Sequence, residues 1–93
     1  MKYKSKPYLS FIHTKRCVVS GCMPVICHHV RSFATGGMGM KPPDTYTVPM
    51  NGDLHDKLHR MGERLFWEKH FGIYWKERLL KIMLNQITEY VGK

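Results

Sequence analysis

Hydrophobic positions change period along the chain, and the changes divide it into elements. Residues 17–27 read CVVSGCMPVIC, with Val18-Val19 and Val25-Ile26-Cys27 as two short β-prone runs around a Ser20-Gly21 turn signal. This predicts a hairpin or a tight strand–turn–strand. Residues 45–50 (TYTVPM) carry enough β-branched and aromatic positions for a strand that pairs back onto residues 25–29. Between them, Gly36, Gly37, Gly39, Pro42 and Pro43 oppose both helix and central strand, so residues 31–44 form a loop.

Helical spacing takes over after Asn51-Gly52-Asp53, where Asn51 or Asp53 can cap a helix running from about Leu54. That helix carries His55, Leu58 and His59, and Met61-Gly62 ends or kinks it. Residues 63–70 (ERLFWEKH) are helical in composition, with Leu65, Phe66 and Trp67 toward the core and Gly72 as the stop. A last helix over residues 74–91 bears Trp75, Leu79, Ile82, Met83, Ile87 and Tyr90 at three- and four-residue steps. This stripe is a packing face or the surface of a homodimer through the C-terminal helix. At the other end, Lys2, Lys4, Lys6, Lys15 and Arg16 surround YLSFI in a basic arm, whose residues 8–13 make a short helix or strand against the body. The reading is one α+β domain: arm 1–16, core 17–60 and C-terminal helices 61–93.

Composition narrows the class. Apolar residues at 43% of 93 exclude wholesale disorder. No apolar run nears the roughly 20 residues that span a bilayer, so no membrane partner is expected. The basic start lacks an apolar stretch fit for a signal peptide, which points to the cytoplasm. Three cysteines without any CxxC pair suggest neither a disulfide framework nor a cysteine-held zinc. Fifteen Lys and Arg against seven Asp and Glu give +8 and a pI near 9.6, which suits a polyanion, nucleic acid before an anionic membrane surface.

Four of the six histidines fall in two places, the doublet His28-His29 and the pair His55 and His59. Residues four apart on a helix share a face, with Cβ atoms about 5–6 Å apart, so two imidazoles can reach one ion. Asp56 follows His55 where zinc proteases have a Glu, and its shorter side chain does not replace that base. On a strand, neighbours point to opposite faces, so one member of the doublet can turn to the helix and bind metal while the other serves elsewhere. Phosphodiester hydrolysis needs an activated water, cations on the phosphoryl oxygens and help for the leaving oxygen. An imidazole can take the proton, a divalent ion can stabilise charge, and Arg or Lys can clamp oxygens.

The segments CVVSG, CHHVRS, GGMGMKPPD, YTVPM, LHDKLHRMGE and FWEKHFGI, across residues 9–73, make the sequence resemble the HNH, or ββα-metal, nucleases. More narrowly, it resembles small phage and prophage HNH-like proteins related to the recombination-enhancement nuclease. Pro49 and His55 meet the family's spacing of proline and histidine. The resemblance implies an α+β fold with a ββα-metal (HNH/His-Me finger) core and additional C-terminal helices. It implies His28 as metal ligand, His29 as general base, and His55 and His59 as further ligands. Of four positions that hold a structural zinc in many members, only Cys17 is a cysteine; Ser20, Asn51 and Leu54 fill the others, so no structural zinc is expected. The family's Asn that orients the base has no clean match, with Tyr46 or Thr47 near its place.

The expected protein is a metal-dependent HNH-type endonuclease hydrolysing DNA, with one divalent ion. Mg or Mn would serve catalysis, while Zn or Ni binds an all-histidine set more tightly. Arg31, Lys41, Lys57 and Arg60 are the candidates for DNA backbone contacts, and Glu63, one turn beyond His59, for orienting it. Two rivals stand beside this: a DNA-binding or recombination accessory protein with weak or no catalysis on the same fold, and a purely structural role for the histidines.

Overall fold

Ser5 starts the first helix by accepting the Tyr8 backbone N–H on its hydroxyl at 3.2 Å, and Pro7 sits in the first turn, where its missing N–H breaks no helical bond. The computed structural model describes residues 5–33 and 43–92. Across them run α1 (Lys6–His13), β1 (Ile26–His29), a 3-10 turn (Arg31–Phe33), β2 (Thr47–Met50), α2 (Gly52–Met61), α3 (Glu63–Phe71) and α4 (Trp75–Val91). The result is a small α+β fold with two antiparallel strands and four α-helices among the described residues. No helix among them is long and apolar enough to cross a membrane.

The sheet pairs Ile26 with Met50, Cys27 with Pro49, His28 with Val48 and His29 with Thr47, the pairing expected from the β-branched runs. The expected hairpin over residues 17–27 does not form. Gly21, at φ 74°, closes a turn in which its N–H bonds Cys17 O at 2.9 Å, and the Val18 N–H bonds Pro49 O at 3.1 Å. Val18 therefore spends its donor on the end of β2, and Val18 and Val19 pack against the core without pairing to residues 25–27.

Asn51 caps α2, its side-chain oxygen accepting the Leu54 N–H at 3.2 Å. Gly62, at φ 91°, supplies the backbone turn that separates α2 from α3. The main core holds Val30, Val48, Met50, Leu58, Phe66, Trp67, Trp75, Leu79 and Met83. Each such side chain stabilises by about 1.5–3 kcal/mol on burial. Phe66 and Trp67 face inward as expected, whereas Leu65 is half exposed. The α4 stripe is a packing face: Trp75, Leu79 and Met83 are buried, and Ile82, Ile87 and Tyr90 rest against the two clusters. Gln86 ties α4 to the sheet by donating to Thr47 O at 2.8 Å.

The N-terminal arm is docked from Ser5 onward. Tyr8, Phe11 and Ile12 recur at one helical face and make a second, smaller cluster with Cys27, Ile87 and Tyr90, with the Tyr8 and Tyr90 rings edge to face at 5.1 Å. The sheet thus lies between two unequal apolar bodies, α1 on one side and the α2–α3 unit on the other.

Candidate metal centre

Strand alternation decides the fate of the histidine doublet. His28 is 3% exposed and turns toward α2 and α3, where its ring centroid lies 5.1 Å from His55, 6.1 Å from His59 and 6.4 Å from Trp67. His55 and His59, one turn apart on α2, bring their Nε2 atoms within 3.1 Å. One ligand atom from each of His28, His55 and His59 falls within 4.8 Å of the others, so the three can hold a metal ion.

The donor chemistry fits such an ion. An ion with nitrogens about 2.0–2.1 Å away and tetrahedral angles needs them about 3.4 Å apart, so small side-chain rotations close this set. His28 Nε2 is buried and has no hydrogen-bond partner among the described residues, an arrangement that disfavours folding unless something occupies it. Burial first, then the charges of His28 and His59, lower the His55 pKa below 6.5 against the opposing pull of Asp56, keeping the neutral, ligating form. His59 is exposed, and an open cavity of about 400 Å³ lined by Asp56, His59 and Arg60 gives access from solvent.

Glu63, expected to orient His59, makes no hydrogen bond to it among the described residues and instead lies against His28. Its carboxylate accepts from the Arg31 backbone N–H at 2.6 Å, the Trp67 indole N–H at 3.1 Å and the Ser32 hydroxyl at 3.4 Å. Its separation from His28 Nε2 is 3.8 Å, an ion-pair distance too long for a hydrogen bond. The 3-10 turn carries the donors that aim this carboxylate, so the turn after β1 helps to build the site.

His29 belongs to the other side of the sheet. Its Nε2 meets Asp44 Oδ1 at 2.8 Å, while Asp44 Oδ2 accepts the Ser5 backbone N–H at 2.8 Å. The Thr47 hydroxyl donates to Asp44 O at 2.8 Å and folds the chain so that Asp44 reaches the residue paired with Thr47. Sequence reasoning missed Asp44. It sought an orienting side chain at Tyr46 or Thr47, although Asp44 is the first acid after His29 and lies three positions before the strand partner of His29.

Of the expected DNA contacts, Arg60 borders the open cavity and Arg31 follows the end of β1, both exposed. Lys57 is exposed on α2 and acts with Lys69 on His70, whose pKa is lowered first by burial and then by these two charges. Lys41 and the glycines of GGMGM lie outside the described residues. The family model described as "Protein of unknown function (DUF968)" matches residues 1–87. No curated protein and no solved structure matches the chain.

Proposed function

The chain belongs to the DUF968 family of proteins of unknown function, and from the three-histidine face we propose that it is a metal-dependent endonuclease that hydrolyses DNA phosphodiesters. The observation that carries this reading is the convergence of His28, His55 and His59 around a buried imidazole nitrogen that has no partner among the described residues. The order strand, strand, helix, with a ligand from the first strand and two from the helix, is read as a ββα-metal core.

His28, His55 and His59 would hold one divalent ion, of the Mg or Mn class for catalysis. When bound, it supplies electrostatic stabilisation of the phosphoryl and leaving oxygens. His29 takes a proton from the attacking water. The water oxygen bonds to phosphorus, the phosphorus–oxygen ester bond breaks on the far side, and the leaving oxygen is protonated from solvent. Arg60, which borders the open cavity, and Arg31, two residues past the end of β1, would neutralise the non-bridging oxygens, with Lys57 on α2 for the DNA backbone. Because His28 and His29 leave opposite faces of β1, the phosphate sits across the end of that strand, where the 3-10 turn begins.

Plasmid nicking with Mg, Mn, Ni and Zn tests the reading. Wild type should nick with at least one of these metals, and His29→Ala should slow nicking by about 10²–10⁴-fold, the usual worth of a general base. Equal traces for the two proteins would remove the enzyme. The divergence of His29 from the other three favours one rival, a DNA-binding protein that keeps the metal and does not cut. It predicts metal uptake and salt-sensitive DNA binding with no nicking.

A further inference from the structure

We infer that Asp44 is the positioning residue for His29, holding it as the Nε2–H tautomer so that Nδ1 is its basic nitrogen; this rests on the hydrolytic reading above. An ionised carboxylate only accepts, so the proton in the 2.8 Å contact between His29 Nε2 and Asp44 Oδ1 belongs to the imidazole. The lone pair then lies on Nδ1. On taking a proton from water there, the ring becomes an imidazolium whose positive charge faces the Asp44 carboxylate, and that proton passes to solvent before the next turnover. A carboxylate behind a histidine base does the same work in hydrolases built on other folds.

Asp44 is held firmly enough for this role. Its second oxygen accepts from Ser5 N and its carbonyl from the Thr47 hydroxyl, and its side chain is only 12% exposed. The neighbouring imidazole is the contrast. His28 Nε2 has no hydrogen-bond partner among the described residues, so within the doublet His29 has the orienting acceptor and His28 the open nitrogen. The competing account makes Asp44 a tether that fastens α1 to the sheet through Ser5. An Asn could serve as that tether, since its amide oxygen can accept the Ser5 N–H. It could not replace a carboxylate that fixes the tautomer and faces the imidazolium.

The test uses the full chain. Long-range ¹H–¹⁵N spectra of the metal-free wild type should show His29 protonated at Nε2, and an Nδ1–H form would overturn the inference without any variant. In nicking assays with Mn, Asp44→Asn should lower kcat by about 100-fold or more with KM unchanged. It should add nothing to the loss caused by His29→Ala, and Asp44→Glu should recover part of the rate. Zinc affinity by calorimetry should stay within about twofold of wild type in Asp44→Asn, which reports an intact fold and metal face. Wild-type nicking by Asp44→Asn, or additive losses with His29→Ala, would leave Asp44 as a tether. Absence of nicking by the wild type with every metal would instead overturn the hydrolytic reading, and this role with it.

Discussion

His28 and His29 are adjacent on one short strand, yet they serve different halves of the molecule. His28 enters the α2–α3 side, loses solvent and keeps a nitrogen without a partner among the described residues. His29 enters the α1 side and is bonded to a carboxylate that is itself tied to the first helix. The two share residue type and backbone, so the difference comes from the two-residue period of the strand and from what each face packs against. A satisfied imidazole is held in one orientation, whereas a nitrogen with no partner among the described residues could take a cation. Under the proposed function, metal binding at His28 and proton transfer at His29 should therefore be damaged separately.

The largest effect should come from the wall of the metal side. Trp67 is fully buried, lies against His28 and donates to Glu63. Trp67→Ala should cost about 3–5 kcal/mol in urea unfolding, the range for large aromatic truncations, and should abolish zinc uptake by freeing His28 and Glu63. Phe11→Ala, in the smaller α1 cluster, should fall at or below the lower end of that range and leave zinc affinity unchanged. Equal loss of zinc binding in both variants would show that the two sides do not act independently.

Next in size is the doublet itself. His28→Ala should weaken zinc or nickel binding by more than about 100-fold, since loss of a ligand should exceed the 10–100-fold typical of losing a ligand's supporting partner. His29→Ala should change the affinity by less than about twofold, as expected for a residue that is bonded to Asp44 and leaves the opposite face of the strand from His28. Calorimetry on both proteins checks this, and a His29→Ala loss as steep as that of His28→Ala would place both rings on one ion.

Much of this arrangement was legible in the sequence because it depends on local rules. The helix stops at Gly62 and Gly72, the Asn51 cap, the pairing of residues 47–50 onto residues 26–29 and the same-face spacing of His55 and His59 follow from glycine, capping and periodicity. Elements set by tertiary contacts were not legible. Val18 bonds the end of β2 rather than a hairpin partner, the choice between helix and strand for residues 8–13 stays open until α1 packs on Tyr90 and Cys27, and Asp44 reaches His29 only through the register of two strands well separated in sequence. Glu63 shows the limit most simply. Helical spacing places it one turn from His59, but Gly62 ends α2 before it, and the next helix turns its carboxylate toward His28.

Glu63 also gives the smallest and most conditional effect. In the metal-free protein, burial pushes its carboxyl up, while His28, the Trp67 indole N–H and the Arg31 backbone N–H together pull it further down, leaving its pKa below 4.5. Between 4.5 and the lower folded value, the unfolded chain binds more protons than the folded one, so stability rises with pH across that window. The contribution is complete above 4.5 and disappears as the pH falls through the folded pKa. Glu63→Gln should therefore cost about 1 kcal/mol at neutral pH, because an amide keeps one acceptor oxygen but loses the charge-assisted bonds. The difference from wild type should shrink as both proteins are melted at successively lower pH, since a protonated Glu63 resembles the amide. The same variant should weaken zinc binding by roughly 10-fold, less than removal of His28, because it loosens the support of a ligand and leaves the ligand in place. A wild-type advantage equally large in acid and at neutrality would mean that the carboxylate charge is not what fastens the 3-10 turn to α3, and the metal side would then owe its order to Trp67 packing alone.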